Sequence, residues 1–146
     1  MKQSIVIKAP ITYVFDCIAT ASLREKWFPN VTSIRYSNPK GDSKTGASFQ
    51  LTAEEGKEHV SLHGRNKEIS RPSLFAFELE SQTYIMTFSY RLQQQGDHTV
   101  VEQDYETKYH RPVMNVIEKL FKSSTKQTGG LVLKSLADFC EASESI

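Results

Sequence analysis

The amino-terminal third of the chain changes from strand-like to helix-like hydrophobic spacing within a few residues. Apolar and polar side chains alternate from Ser4 to Ala9, which predicts a first β-strand. Pro10 suits the first position of a following helix, because that residue needs no amide donor. The apolar stripe of that helix consists of Ile11, Val14, Phe15 and Ile18. Its three- and four-residue intervals predict an amphipathic helix with one buried face.

A second short helix follows directly. Thr20 and Ser22 are suitable cap residues, and the helical spacing runs from Leu23 through Trp27, the only tryptophan of the chain. Pro29 disfavours a helical conformation in the residue before it, so the helix is expected to end there.

From Val31 to about Tyr109 the pattern is that of strands and turns. Strands are predicted at 31–37, 47–54, 57–69, 74–80, 83–93 and 98–109. Segments rich in Gly, Pro, Asn and Asp separate most of them, at 38–42, 54–57, 70–73 and 94–98. Because these connections are short, we expect an antiparallel sheet joined by hairpins.

After Pro112 the apolar positions return to helical spacing, as far as about Ala142. This predicts one long carboxy-terminal helix. Gly129 and Gly130 weaken it, since each glycine costs about 1 kcal/mol relative to alanine inside a helix. The pair leaves three alternatives open: room for a ligand or a close approach of the sheet, a kink, or two abutting helices.

Alternation along the strands sorts the side chains into two faces. On 98–109 the acidic Glu102, Asp104 and Glu106 must face water, so the opposite row faces inward. The residues predicted to point toward the long helix are Ile34, Tyr36, Phe49, Leu51, Ala53, Phe75, Phe77, Leu79, Tyr84, Met86, Phe88, Tyr90, Leu92, Val101, Gln103, Tyr105, Thr107 and Tyr109.

This inward face combines aromatic walls with several hydroxyls and one amide. Packed cores favour aliphatic side chains because each buried hydroxyl needs a partner, whereas apolar walls with a few polar tips are typical of small-molecule sites. The residues predicted to bind a ligand are Tyr84, Met86, Phe88, Tyr90, Gln103, Tyr105, Phe49 and Phe77. In the alternative interpretation, the tyrosines reach the surface at strand ends or bond to backbone groups and ordered water.

Composition narrows the class of protein. The 146 residues fit one domain over 1–146, which buries about two thirds of its surface on folding. A net charge of +1 gives no electrostatic argument for nucleic acid or an anionic membrane as partner. No apolar run approaches the length of a transmembrane segment, and the amino terminus lacks a signal-peptide core. Cys17 and Cys140 are expected to be buried thiols, which favours a cytoplasmic location.

Reactive motifs are missing from the sequence. His59 and His63 lie four apart on a predicted strand, about 13 Å from one another and too far to share an ion. We therefore expect surface histidines and no metal site. No phosphate loop or dinucleotide fingerprint occurs, so no cofactor is predicted. His110 and Arg111 allow two interpretations, an anion contact at a cavity mouth or a solvated loop. The sequence nominates no nucleophile or general base.

The order of one strand, two short helices, six strands and a long helix resembles the helix-grip superfamily. That superfamily includes START lipid-transfer domains, birch-pollen-type plant allergens and polyketide cyclase/dehydrase-like proteins. The resemblance covers nearly the whole chain, and its specific parts are Ala9-Pro10, Val14-Phe15 with Ile18, Trp27 and the final "LVLKSLADF". It implies an α+β helix-grip fold, in which a curved antiparallel sheet of about seven strands wraps around the last helix and leaves a cavity. Trp27 is interpreted as a packing anchor rather than a ligand contact.

Three functions follow from this interpretation. The first is binding of a small, largely apolar molecule, lipid-like or aromatic, in an internal cavity. The second is a cyclase- or dehydratase-type enzyme acting on a polyketide-like or aromatic substrate, through confinement and a tyrosine or histidine acid or base. The third is a protein-interaction module of the kind that assists a chaperone ATPase, which would need an exposed apolar patch.

Overall fold

The computed structural model describes residues 2–55, 57–109 and 125–144, and their elements follow the predicted order. The amino-terminal elements are β1 (Lys2–Ile7), α1 (Ile11–Ala19) and α2 (Ala21–Trp27). The strands that follow are β2 (Val31–Tyr36), β3 (Ser48–Glu55), β4 (Glu58–Ser70), β5 (Leu74–Glu80), β6 (Tyr84–Gln95) and β7 (His98–Tyr109), with a short 3₁₀ turn at Gly41–Ser43. The last element is α3 (Thr125–Glu144). The predicted strand limits differ from these by two residues or fewer.

The seven strands form one antiparallel sheet in the order β1-β7-β6-β5-β4-β3-β2. Hairpins connect β3 through β7, while β1 pairs with β7 and places Ile7 opposite Thr99. Helices α1 and α2 therefore carry the chain from one edge strand to the other. A register shift between Asn66 and Glu68 marks a β-bulge in β4, a feature that bends and twists a sheet. A curved antiparallel sheet with a carboxy-terminal helix is the helix-grip fold that the resemblance implied.

The sheet buries one face, as the alternation predicted. On β6 the side chains from Tyr84 to Leu92 at every second position are buried, and the intervening ones are half-buried or exposed. On β7 the buried row includes Val101, Gln103 and Tyr105. The assignment of inward and outward faces is confirmed for both strands.

Side chains from distant segments hold the starts of α1 and α2. Pro10 occupies the N-cap position rather than the first helical position, and the amide of Ile11 donates to Oε1 of Gln94 at 2.8 Å. Thr20 stands at the N-cap of α2 but makes no side-chain cap bond. Instead, Oδ2 of Asp42 accepts a hydrogen bond at 3.1 Å from the first amide of α2. Thr20 and Ser22 were the predicted caps of α2, but a tertiary contact supplies the hydrogen bond instead.

Helix α3 packs its apolar side against α1, α2 and the sheet. Its buried residues are Val132, Leu133, Leu136, Ala137 and Cys140. It runs without a break through Gly129 and Gly130, which excludes two abutting helices at that point. The predicted start of the helix after Pro112, and the interpretations of His110 and Arg111, lie outside the described residues.

Trp27 joins α2 to both neighbouring layers. Its indole is buried, donates from Nε1 to the carbonyl of Cys17 at 2.8 Å, and packs edge-on against Tyr90 at 6.2 Å. The Ser135 hydroxyl of α3 donates to the Trp27 carbonyl at 2.5 Å. These contacts are those of a packing anchor. Cys17 and Cys140 are both buried free thiols, as expected.

Within the described ranges, no helix combines the length and the apolar character needed to cross a lipid bilayer.

Candidate functional site

An apolar cavity of about 180 Å³ lies between the inward face of the sheet and the helices. The α2–β2 connection and the β3–β4 end of the sheet surround its mouth, and β6, β7 and α3 provide its inner wall. The lining residues are Phe28, Pro29, Asn30, Val31, Leu51, Ala53, Glu54, Val60, Leu62, Leu79, Tyr84, Met86, Phe88, Gln103, Tyr105 and Val132. Most are apolar, and the exceptions are few and dispersed.

Five of the eight predicted ligand-binding residues border this cavity: Tyr84, Met86, Phe88, Gln103 and Tyr105. The other three, Tyr90, Phe49 and Phe77, are buried nearby but are not among the described lining residues. Phe77 stacks between Phe88 at 5.2 Å and Tyr90 at 6.4 Å. Phe49 lies over the backbone of Gly64, its direct cross-strand partner. All three face inward as predicted, but neighbouring rings cover them.

Tyr90 and Gln103 form a fully buried polar pair beside the cavity, and Gln103 borders it. The Tyr90 hydroxyl donates to Oε1 of Gln103 at 2.7 Å, and both side chains are inaccessible to solvent. Burial raises the pKa of Tyr90 far above its ordinary value of 10.0, and the positive charge of Arg24 opposes this only in part. Tyr90 is therefore a neutral hydrogen-bond donor that orients the Gln103 amide, which borders the cavity.

The raised pKa of Tyr90 predicts a loss of stability in alkali. Above pH 10 the unfolded chain releases the Tyr90 proton while the folded chain retains it, so the free energy of unfolding falls by up to about 1.4 kcal/mol per pH unit from this group. Tyr90→Phe should remove that share and show a shallower decline between pH 9 and pH 11. Urea unfolding of both proteins at each pH measures this decline. Lysines and the other tyrosines titrate in both proteins alike, so the difference between the two curves belongs to Tyr90. Parallel curves would contradict the assignment.

Polar groups on the described cavity wall are confined to a few positions. Burial raises the pKa of Tyr105, so its hydroxyl stays protonated to a higher pH than that of an exposed tyrosine. Asn30 adopts a left-handed conformation with φ of 65°, which asparagine tolerates better than most residues, and its carbonyl accepts from the Glu54 amide at 2.8 Å. That bond ties the α2–β2 connection to β3 at the mouth. Glu54 is exposed at the mouth, and its Oε1 lies 3.8 Å from Nδ1 of His59.

Arg24 is fully buried, and sequence reasoning missed it. Its Nη1 donates to the carbonyls of Ile18 at 3.0 Å and Ala19 at 3.3 Å, and its Nη2 donates to the Tyr36 hydroxyl at 2.8 Å. Its Nε has no hydrogen-bond partner. The guanidinium carbon also lies 5.1–5.8 Å from the ring centres of Tyr36, Phe49, Phe75 and Phe77. The one signal in the sequence was that Arg24 stands three residues before Trp27, on the same side of α2.

The Arg24 contacts continue into a buried polar chain. The Tyr36 hydroxyl donates to Oδ1 of Asn66 at 2.6 Å. Nδ2 of Asn66 then donates to carbonyls of the β2–β3 connection, at 3.1 Å to Gly41 and 2.9 Å to Lys44. Burial raises the pKa of Tyr36, and the Arg24 charge partly offsets this. This series of hydrogen bonds fixes α2, and with it the cavity mouth, against β2 and β4.

His59 and His63 are exposed on β4, so the prediction that they are surface residues on a strand is confirmed.

Comparison with known proteins agrees with this geometry. Residues 1–138 match the family described as "Polyketide cyclase / dehydrase and lipid transport". The chain belongs to this family. A search of curated proteins finds no significant match.

Solved structures share the fold at low sequence identity. The START superfamily protein from Mycobacterium smegmatis superposes with a TM-score of 0.72 at 11% identity, covering 94% of this chain and 96% of that one. For Ara h 8.0201 the TM-score is 0.73 at 14% identity, with 97% of each chain covered. The di-domain ARO/CYC StfQ from the steffimycin biosynthetic pathway superposes with a TM-score of 0.73 at 12% identity. The match covers 99% of this chain but 46% of that one. These similarities establish the shared helix-grip fold.

Proposed function

We propose that the protein binds a small, largely apolar ligand, the size of one aromatic ring, in the cavity between sheet and helices. The observation that carries this is the cavity itself, whose described lining residues are mainly apolar and include the polar Tyr84, Gln103 and Tyr105 on its inner wall. Burial of the ligand's apolar surface would provide affinity at roughly 25 cal/mol per Å². The hydroxyls and the amide would set its orientation.

The volume restricts the ligand further. Sites for drug-sized molecules occupy roughly 300–1,000 Å³, whereas this cavity measures about 180 Å³. An apolar cavity of about 150 Å³ accepts benzene. Of the two ligand types expected from the sequence, a single aromatic ring matches this volume and a whole lipid does not.

Filling the cavity should abolish binding. Ethylbenzene is a suitable probe, and calorimetric titration measures its affinity. Val132 projects from α3 into the cavity wall and is buried, so Val132→Phe should weaken ethylbenzene binding at least tenfold by occupying its space. Because the new ring fills a void, the unfolding temperature should stay the same or rise.

Val6→Phe is the matched control, because Val6 is 54% exposed on β1 and does not line the cavity. It should bind ethylbenzene as the wild type does. Native mass spectrometry of the purified protein gives an independent readout of any bound apolar passenger. Absence of ethylbenzene binding to the wild type, or equal affinity of Val132→Phe and Val6→Phe, would overturn the proposed site.

Catalysis of the cyclase or dehydratase type is the second candidate, supported by the family description and by the similarity to an ARO/CYC protein. Among the described lining residues, Glu54 is the only carboxylate and it lies exposed at the mouth. Tyr105, with its raised pKa, acts best as a hydrogen-bond donor to a substrate carbonyl. Such an enzyme should lose turnover of an aromatic-forming polyketide analogue in Tyr105→Phe while retaining its affinity.

A chaperone-assisting role has less support. The large hydrophobic side chains exposed in the described part of the chain are only Val6 and Leu131, which is little apolar surface for a protein partner. The cytoplasmic location stays a prediction, consistent with two free buried thiols.

A further inference from the structure

Strand β4 is longer than its pairing with β5. Its register with β3 extends from Arg65 to Glu58, but its register with β5 begins only at His63, opposite Glu80. Across the described residues, positions 58–62 of β4 therefore have a strand partner on one side only. The chain turns at Ser81–Thr83 and returns as β6. This leaves a gap between the amino-terminal end of β4 and the turn.

An open groove of about 820 Å³ occupies the gap, and we call it the notch. Its lining residues are Gln50, Val60, Ser61, Leu62, His63, Glu80, Ser81, Gln82, Thr83 and Tyr84. Ser61 and His63 point outward from the sheet, while Leu62 and Tyr84 point inward. Residues of both faces of the sheet therefore line the notch, at the place where β4 has a strand partner on one side only.

The notch adjoins the cavity. Val60, Leu62 and Tyr84 line both, so these three side chains form a shared wall between a polar groove and an apolar chamber. Leu62 and Tyr84 are 8% and 5% exposed, so both shared side chains are buried.

The chemistry of the notch is polar but largely uncharged. Gln50, Ser61, Ser81, Gln82 and Thr83 offer amides and hydroxyls. Among the described lining residues, the imidazole of His63 and the carboxyl group of Glu80 belong to cross-strand partners. The Ser81 hydroxyl accepts from the amides of Thr83 and Tyr84 at 3.2 Å, which holds the turn in place. The one-sided edge of β4 adds backbone donors and acceptors, groups that readily pair with an extended polar chain.

We propose that the ligand of this protein is amphipathic, with a ring-sized apolar part in the cavity and an uncharged chain of amide or hydroxyl groups that passes Leu62 and Tyr84 into the notch. The inference rests on the proposed function and extends it to a second subsite. Apolar walls recognise the ring, and the amides, hydroxyls and strand edge of the notch recognise the chain.

A pair of probes with the same ring separates the two subsites. Ethylbenzene carries the ring alone, and N-(2-hydroxyethyl)-3-phenylpropanamide adds an amide and a hydroxyl. Isothermal titration gives the ratio of their dissociation constants. For the wild type we expect the amide compound to bind at least tenfold more tightly than ethylbenzene.

Two variants close the notch from opposite sides, Ser61→Trp on β4 and Gln82→Trp at the turn, both at exposed positions. Each should bring the ratio close to one. Gln93→Trp is the control, because Gln93 is exposed on β6 and lines neither space. It should keep the wild-type ratio.

The outcomes distinguish the two proposals. A wild-type ratio near one, or a ratio that neither notch variant changes, overturns the notch subsite while ethylbenzene binding leaves the cavity proposal standing. If neither compound binds the wild type, the cavity proposal fails and the notch proposal fails with it. A high ratio lost in both notch variants and kept in Gln93→Trp supports the amphipathic ligand.

Discussion

Gly64→Ala should lower the free energy of unfolding by about 3 kcal/mol, at the upper end of the usual cost of overpacking a core. A Cβ at this position would lie 2.2 Å from Cε2 and Cζ of the Phe49 ring, far inside van der Waals contact. The ring has little room to move, because it packs against Tyr36 at 4.8 Å, Phe77 at 6.1 Å and the Arg24 guanidinium at 5.3 Å. Gly64 is required here for the close approach of an aromatic ring to the strand.

A double-mutant cycle in urea tests the cause of this loss. In a Phe49→Leu background the ring is absent, so Gly64→Ala should cost much less than it does in the wild type. The coupling between the two positions should be at least 1 kcal/mol. An equal cost in both backgrounds would show that the glycine is needed for backbone reasons and would contradict the steric account.

Arg24→Met should also destabilise the protein by about 3 kcal/mol. The substitution leaves the Ile18 and Ala19 carbonyls at the end of α1 without their buried donor, and it removes the donor to the Tyr36 hydroxyl. Each unsatisfied buried group costs about 1–3 kcal/mol. Relief from burying a charge without a carboxylate partner offsets part of this loss.

The geometry explains why an arginine is tolerated at this position. A guanidinium is weakly hydrated and planar, and here it lies among four aromatic rings and at the carboxy-terminal end of α1, where a positive charge is favourable. Arg24→Lys keeps the charge but loses the fork of donors, so it should not restore stability.

Arg71→Met is the matched control for Arg24→Met. Arg71 is exposed, pairs with Asp16 and lies over the Phe15 ring at 4.8 Å. Because exposed pairs contribute little, this variant should lose no more than about 1 kcal/mol. Thermal and urea unfolding of the three variants give the comparison. If Arg24→Met unfolds like the wild type, the relief from charge burial equals the lost hydrogen bonds, and the predicted role of Arg24 is wrong.

The order of the strands and helices, and the face that each strand turns inward, were predictable because both depend on residues close together in the sequence. Alternation has a period of two, so Tyr84, Phe88 and Gln103 were assigned to the inward face from the sequence, and the structure confirms that face. Turn residues at 38–42, 70–73 and 94–98 marked the connections between strands, because Gly, Pro, Asn and Asp favour turns through their own local conformation. The amide of Gln103 was recognised as unusual because a buried polar side chain needs a partner.

Which inward side chains pack against one another and which line the cavity was not predictable from the sequence. Tyr90 and Tyr105 lie on neighbouring strands with the same alternation, yet Trp27 covers Tyr90 while Tyr105 borders the cavity. The burial of Arg24 likewise depends on rings that three different strands bring together around it. Residues such as Val31 and Val60 joined the cavity wall only because the α2–β2 connection and the β3–β4 end of the sheet meet there.

Residue type and spacing along the chain were enough to predict the order of strands and helices and the inward face of the sheet, and they contain no familiar reactive motif. Packing between distant segments settles which inward side chains touch one another and which enclose a cavity, how Arg24 is accommodated, and where β4 extends beyond β5. These features depend on where separate elements end in space. The length of β4 beyond β5 and the position of α2 are results of packing over long sequence distances.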